Sequence, residues 1–141
     1  MADETTLLYT KLSGSFGVSA LVSNRIYPGT APQANPGTLT APFIVFFRVS
    51  GPPLNVATPA SLGDVQSRWQ VECVAPTHAQ AWGVAAAVAT ELDGWRDLTL
   101  APKVQSTLLL DQRDAFATPT DGGDEGEHRV ILDFSIWSSL S

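Results

Sequence analysis

Apolar residues recur at helical spacing in the first part of the chain. The segment from Asp3 to Leu12 places its leucines on one side of a helix, and Gly14 can end that helix. A second, shorter helix is predicted from Val18 to Val22, whose apolar side chains again share one face. The following stretch, Tyr27 to Pro42, carries four prolines and two glycines, which predicts an extended connection rather than a helix.

Four later segments have the composition and length of strands. The first, Phe43 to Ser50, is an almost continuous apolar run of aromatic and β-branched residues, which indicates burial on both of its faces. The second, Val65 to Ala75, alternates between apolar and polar residues, as a half-buried strand does. The last two are Val104 to Ala115 and Glu127 to Ser138, joined by a long loop. Neighbouring strands joined by loops predict antiparallel hairpins.

The main helix is predicted between the second and third of these strands. Thr77 begins it with a capping box, in which the side chains of Thr77 and Gln80 can each accept a hydrogen bond from a free backbone N–H. An alanine-rich apolar stripe follows as far as Leu92, and Gly94 fits the end of the helix. The chain is therefore predicted to be a single domain over residues 1–141. Its fold class is α+β, an antiparallel sheet of about four strands with helices packed on one face, in the order ααββαββ.

The apolar periodicities of these segments predict one core. Its members are large side chains from three of the strands and the tryptophan of the main helix, namely Phe43, Val45, Trp69, Val71, Trp82, Leu132 and Phe134. Cys73 alternates in step with Trp69 and Val71 and is predicted to be a small buried residue. It is the only cysteine, so a disulfide within the chain is excluded.

The chain is acidic and poor in charge. Of its 141 residues only 16% are charged, against about a quarter in an average soluble domain, and the formal net charge is −6. Such a surface is explained either by burial against neighbouring subunits or by an ordinary alanine- and threonine-rich domain. The eight basic residues are scattered, which disfavours a protein that grips nucleic-acid phosphates. Without a signal peptide or an apolar stretch near 18 residues, no membrane association is expected.

No spacing of residues indicates catalysis or metal binding. Gly14 to Gly17 lacks the length and the lysine of a phosphate-binding loop, and no nucleophile elbow occurs. The acidic segment Asp121 to Glu127 fails as a calcium loop, because its third ligand position is Gly123 and its twelfth is Leu132. The expectation is a protein without catalytic residues, cofactor or metal.

An uncharged, proline-containing segment is a candidate arm for contacts with other proteins. Gly51 to Gly63 is too long for a tight turn, and loops of this length are often functional. Its three prolines lower the entropy that is lost on docking. The candidate contact residues are Pro52, Pro53, Leu54, Val56, Pro59 and Leu62.

Four further residues are candidates for contacts between subunits. Ile131 and Trp137 lie on the side of the last strand that alternation would otherwise make polar, so they are candidate interface anchors. The competing explanation is that the first two helices cover this side within one subunit. Arg25 and Arg48 are candidate partners in ion pairs between subunits, or else ordinary arginines at strand ends.

Several short segments, taken in order, carry a resemblance to a known family. They are Leu21–Pro28, Ala41–Gly51, Arg68–Ala75, Thr77–Trp95, Val104–Asp114 and His128–Trp137. In this order, over about Leu7 to Trp137, the chain resembles the tail-completion family of long-tailed bacteriophages, the small head-to-tail joining or tail-terminator proteins.

The resemblance implies a structural virion protein rather than an enzyme. Members of that family cap the tail tube as a ring, expected to be a hexamer, and present a surface to the head connector. The implied partners are other copies of the chain, a tail tube protein and a head–tail connector protein. DNA would pass through the lumen without specific binding, which suits an acidic chain because it repels DNA, although solubility alone also accounts for the sign of the charge. The implied location is the head–tail junction of a phage or phage-like particle, after synthesis in the host cytoplasm.

Two other interpretations stay open at the level of the sequence. The chain could be another small protein of the neck, such as a connector-stopper, because size and acidity do not separate the two. A cytosolic α+β ligand-binding module or enzyme is an alternative of a different class. It predicts a monomer or dimer with a polar pocket, and nothing in the sequence supplies the chemistry of such a pocket.

Overall fold

The computed structural model describes residues 4–29, 41–51, 64–100, 103–117 and 127–139. Within these ranges the chain forms three helices and five strands. In chain order they are α1 Glu4–Ser13, α2 Phe16–Val22, β1 Ile26–Pro28, β2 Phe43–Ser50, β3 Asp64–Ala75, α3 His78–Leu92, β4 Lys103–Ala117 and β5 Glu127–Ser139.

The five strands form one mixed sheet in the order β1-β2-β3-β5-β4. The last four are antiparallel to their neighbours, as predicted, whereas β1 runs parallel to β2 with Ile26 opposite Ile44. The prediction of four antiparallel strands in the order ααββαββ is therefore corrected to a mixed sheet in the order ααβββαββ. The sequence pattern missed β1 because three residues, the last of them Pro28, are too few to show alternation.

The two edges of the sheet are very different. β1 forms one edge with three residues, and β4 forms the other with fifteen. The pairing of β4 with β5 shifts register twice, between Val104 and Ser106 and between Leu109 and Asp111. Such irregularities are common at sheet edges, because they interrupt the row of backbone groups on which another strand could pair.

The helices pack on one face of the sheet and form an apolar core with it. Its largest fully buried side chains are Leu8, Leu12, Val18, Val22, Ile44, Phe46, Val71, Leu92, Leu132, Phe134 and Ile136. The predicted core residues Trp69, Val71, Leu132 and Phe134 all belong to it, and Trp82 packs against it half-buried. Cys73 is also in this core, as predicted.

The predicted inward side of β2 was wrong. Ile44 and Phe46 face the helices, opposite Cys73 and Val71 in the register, so Phe43 and Val45 lie on the other face of the sheet. A continuous apolar run shows no alternation, and the sequence therefore could not tell which of the two sides faces inward.

Side chains cap the starts of α2 and α3. The Ser15 hydroxyl accepts from the N–H of Val18 at 3.3 Å, and the Thr77 hydroxyl accepts from the N–H of Gln80 at 3.2 Å. The capping role of Thr77 is confirmed. The Gln80 side chain differs from the prediction, because its carbonyl oxygen accepts from the Thr77 hydroxyl at 3.1 Å.

A buried carboxylate fixes the start of α1 to the sheet. Glu4 is only 2% exposed. Its oxygens accept from the hydroxyls of Ser67 at 2.8 Å and Ser138 at 3.3 Å. The indole N–H of Trp69 also donates to it, at 2.9 Å. Because burial of a charge is costly without hydrogen bonds, these three donors make the position of α1 depend on a polar contact inside the apolar core.

Candidate interaction surface

The sheet face away from the helices is the first candidate surface. Ile131, Asp133, Ser135 and Trp137 of β5 lie on this face, while the residues between them belong to the core. In the part of the chain that the structure describes, the buried side chains of the helices all join the other face. We call this surface, made of these four residues and their cross-strand neighbours, the helix-free face.

A network of charges occupies the centre of the helix-free face. Arg113 of β4 donates to Asp133 at 2.6 Å and to Asp111 at 3.0 Å. Arg68 of β3 lies 3.9 Å from the same Asp133 carboxylate, whose side chain is only 11% exposed. The hydrogen bonds to Asp133 and Asp111 raise the pKa of Arg113, so the guanidinium stays charged. This network holds β3, β5 and β4 together on the side without helices.

Ile131 and Trp137, the two predicted anchors, are half-buried on the helix-free face. They are six residues apart on β5, a distance of about 20 Å along a strand. Asp133 and Ser135 lie between them, and Ser135 accepts from the Gln66 side chain at 2.9 Å. The structure therefore places one anchor on each side of a polar centre and does not bring them together in one patch.

A second apolar group lies on the same face, towards β1. Its members are Tyr27, Phe43, Val45, Phe47 and Val74, from three neighbouring strands. The rings of Tyr27 and Phe43 are 6.1 Å apart between centroids, and Val45 and Val74 are buried outside the helix-side core. The apolar run of β2 had indicated burial on both faces. Tyr27 and Val74 were missed, because strand pairing and not sequence proximity brings them to β2.

The two candidate arginines lie at different ends of strands, Arg25 just before β1 and Arg48 near the end of β2. The Nε of Arg25 donates to the carbonyl of Pro42 at 2.8 Å and so connects the starts of β1 and β2. Among the described residues, no carboxylate lies within ion-pair distance of Arg25. Arg48 lies opposite Trp69 in the register of β2 and β3, near the end of β2. Its guanidinium lies so close to Gly51 that a side chain at position 51 would collide with it.

The proline-containing arm is the remaining candidate surface from the sequence. Its candidate contact residues, Pro52, Pro53, Leu54, Val56, Pro59 and Leu62, lie outside the described residues. The proposal that they contact another protein therefore rests on the sequence alone.

Exposed apolar side chains on α2 and β4 were missed by the sequence reasoning. Phe16, the first residue of α2, is 86% exposed, and Leu21 on the same helix is 43% exposed. On β4, Leu108 and Leu110 are 52% and 49% exposed. Leu21 was placed on the apolar face of the second predicted helix, and the other three were given no position, because exposure of this kind carries no periodic pattern from which it could be predicted.

The described side chains with nucleophilic or titratable groups lie in two kinds of surroundings, the buried core and the exposed surface. Burial raises the pKa of the Cys73 thiol far above its usual range, which disfavours a reactive thiolate. His78 contacts Asp114 at 3.2 Å and accepts from the Trp82 indole at 2.9 Å, all at an exposed site. No group of three acidic, histidine or cysteine residues within the described ranges is placed to hold a metal ion. None of the described helices is long and apolar enough to cross a membrane.

Comparison with solved structures shows where this fold occurs. One similar chain belongs to a structure named "Virion of native gene transfer agent (GTA) particle", with a TM-score of 0.66 and 17% identity over 94% of this chain and 91% of that one. A second superposes with a TM-score of only 0.42 at 14% identity, covering 96% of both chains. At such identities the similarity concerns the fold alone.

The sequence comparisons identify the family. No curated protein sequence matches the chain. The family described as "Tail completion protein gp17" matches over residues 6–139, which is nearly all of the sequence. The resemblance inferred from the ordered segments is thereby confirmed. The chain belongs to the tail completion protein gp17 family, and it is a structural protein of a bacteriophage or phage-like particle.

Proposed function

We propose that the chain caps the tail tube as a homo-oligomeric ring and joins the tail to the head connector. The observation that carries this proposal is the family match over residues 6–139. The fold shared with a chain of a gene transfer agent virion supports it, because that particle is itself phage-like. The low content of charged residues, 16%, gives further support, since a subunit in a ring covers part of its surface with neighbours.

The proposed mechanism is mechanical. Copies of the chain, six by family expectation, close a ring through head-to-tail contacts. One face of the ring stops growth of the tail tube, and the other docks the connector at the head–tail junction. DNA passes through the lumen, and the net charge of −6 disfavours its adhesion to the wall.

The residues proposed for these contacts fall into three groups. Ile131 and Trp137 offer half-buried apolar surface on the helix-free face, and burial of such side chains at an interface contributes most at its centre. Arg25 and Arg48 are the proposed participants in ion pairs between subunits. The arm from Pro52 to Leu62 is proposed to contact another subunit or the tail tube.

Particles made without this chain test the proposed function. We expect filled heads and separate tails in place of joined particles, together with tails of irregular length, when the lysate is viewed by negative-stain electron microscopy. Complementation with the wild-type chain should restore joined particles. Normal yields of complete particles without the chain would rule the function out.

A charged substitution tests the interface residues within the same system. Trp137→Glu should reduce the yield of joined particles strongly, because it places a charge in a proposed apolar contact. Leu98→Glu is the matched control, since Leu98 is 43% exposed in the connection between α3 and β4 and should tolerate the charge. Equal yields from both variants would remove Trp137 from the interface. Replacing Pro52 to Leu62 with a short Gly-Ser linker tests the arm in the same assay.

A further inference from the structure

One ring nitrogen of His78 faces two partners that cannot both bind it. His78 is the first residue of α3, and its Nε2 lies 2.9 Å from the indole nitrogen of Trp82, one turn later on the same helix. The same Nε2 lies 3.2 Å from Oδ1 of Asp114 on β4. An indole N–H can only donate a hydrogen bond, and a carboxylate can only accept one. Nε2 must therefore lack a proton to bind Trp82 and carry a proton to bind Asp114.

The three side chains come from different layers of the fold. Trp82 packs against the core, which holds its ring in place beside His78. Asp114 lies opposite the core residue Val130 in the register, so its side chain is on the helix side of the sheet. The side chains of His78 and Asp114 are 59% and 56% exposed, so water can deliver and remove the proton. The partner that His78 binds decides whether this contact stays within α3 or joins α3 to the sheet.

The charges around His78 act in opposite directions. The ring of His128, on β5, lies 6.0 Å from the His78 ring between centroids. A positive charge on His128 would repel a protonated His78, and the start of a helix also disfavours a cation in its first turn. The carboxylate of Asp114 attracts the protonated ring. On β3, the residue opposite His128 is the uncharged Ala75. Asp114 is therefore the neighbour that favours the charged form of His78.

We propose that His78 is a pH-dependent switch between Trp82 and Asp114. Near pH 8 the neutral ring accepts from the Trp82 indole through Nε2, and the contact stays within α3. Near pH 5 the ring is protonated at both nitrogens and Nε2–H donates to Asp114, so that an ion pair joins the start of α3 to the edge strand β4. Histidine is the side chain whose charge ordinarily changes in this range of pH. The switch goes beyond the proposed function and does not depend on it, because all of its residues belong to one subunit.

Nuclear magnetic resonance on the ¹⁵N-labelled full chain tests the switch directly. Spectra recorded between pH 8 and pH 5 report which ring nitrogens of His78 carry a proton and whether the Trp82 indole proton is hydrogen-bonded. We expect the Trp82 indole resonance to move upfield as Nε2 of His78 becomes protonated, because the indole then donates to water. Trp137, on the other face of the sheet, is the internal reference and should not follow this change.

Conservative variants separate the two partners. Asp114→Asn keeps the size of an exposed side chain and removes its charge, so the protonation of His78 should occur at lower pH. Trp82→Phe removes the indole donor, so the protonation of His78, followed on its own ring nitrogens, should occur at higher pH. His128→Gln is the matched control. It removes the neighbouring histidine but keeps His78 and both partners, so the response of Trp82 should persist.

Three results would overturn the switch. The first is a Trp82 indole resonance that stays unchanged while Nε2 of His78 gains its proton. The second is protonation of His78 at the same pH in the wild-type chain and in Asp114→Asn, which would mean that Asp114 does not bind the protonated ring. The third is a Trp82 response that persists in His78→Gln and disappears in His128→Gln, which would assign the titration to the wrong histidine.

Discussion

The two faces of the sheet share the same strands but are completed in different ways. On β5, Leu132 and Phe134 are fully buried among the helices, whereas Asp133 and Ser135 are buried in a polar network on the other side. On the helix side, the helices of the same chain cover the apolar side chains of the sheet. The helix-free face satisfies its polar centre but leaves Ile131 and Trp137 half-buried around it. The comparison teaches that low exposure alone does not identify an apolar core. Asp133 and Ser135 are covered by the polar side chains that bind them, and not by apolar packing.

The largest expected effect comes from truncating the helix side. Phe134→Ala should lower the free energy of unfolding by roughly 3–5 kcal/mol, because it removes a fully buried ring and leaves a cavity in the core. Trp137→Ala, three residues later on the helix-free face, should cost the isolated subunit much less, since its ring is already partly in water. Urea denaturation followed by circular dichroism measures both.

The two losses in unfolding free energy would contradict this difference between the faces if their order were reversed. A larger loss for Trp137→Ala than for Phe134→Ala in the isolated subunit would mean that the helix-free face is the main apolar core. The same measurement on assembled material extends the test, because burial of Trp137 by a neighbour would raise the cost of its removal there.

The next largest effect concerns the polar contact inside the helix side. Glu4→Ala leaves the indole N–H of Trp69 and the hydroxyl of Ser67 without their acceptor in a buried site. We expect a loss of roughly 1–3 kcal/mol. Amide hydrogen exchange should show α1 opening more often than α3, because α1 loses its polar attachment to the sheet.

A partly exposed glutamate provides the matched control for Glu4. Glu91→Ala on α3 removes a carboxylate whose side chain is 28% exposed and should change stability little. If the two variants were equally stable, the buried carboxylate would not be what attaches α1.

Local patterns predicted most of the helix side, and long-range pairing decided the rest. Alternation in β3 and β5 identified Trp69, Val71, Leu132 and Phe134 correctly, because each strand carries its own inward and outward pattern. The continuous run of β2 carries none, and its inward side was assigned wrongly.

On the helix-free face, the candidates Ile131 and Trp137 were found as exceptions to alternation. The partners that surround them could not be found in this way. Arg113 reaches Asp133 across a strand pair in which a register shift has occurred, and no local pattern encodes that shift. Glu4 likewise meets Ser138 from the other end of the chain. These contacts depend on tertiary packing, which spacing along the sequence does not report.

A smaller effect is expected from the charge network of the helix-free face. Asp133→Ala removes the better buried of the two carboxylates that bind Arg113, whereas Asp111→Ala removes the exposed one. Asp133→Ala should therefore destabilise the subunit more than Asp111→Ala, and less than Phe134→Ala. A double-mutant cycle with Arg113→Ala isolates the pair energies. Equal coupling of Arg113 to both carboxylates would show that burial on this face does not strengthen its ion pairs.

The smallest effect is expected from an ion pair on the outer surface of the helix layer. Lys11 of α1 lies 2.9 Å from Glu91 of α3, and its hydrogen bond lowers the pKa of Glu91. A folded pKa below the unfolded one means that the pair stabilises the fold above the unfolded value of about 4.5 and loses this contribution as the pH falls through the folded pKa. Both side chains are about 30% exposed, so the pair contributes only about 0.3 kcal/mol near pH 7. Lys11→Ala should lower stability by that amount at pH 7, and the difference from wild type should shrink steadily below pH 4.5.

The Nζ of Lys11 also lies 5.6 Å from the centroid of the Trp95 ring, a contact that does not depend on Glu91. Lys11→Gln removes the charge, and with it both contacts, but keeps most of the chain length, so the pH dependence of its difference from wild type separates the two. A difference from wild type that stays constant from pH 7 to pH 3 would assign the stabilisation to the contact with Trp95 rather than to the ion pair.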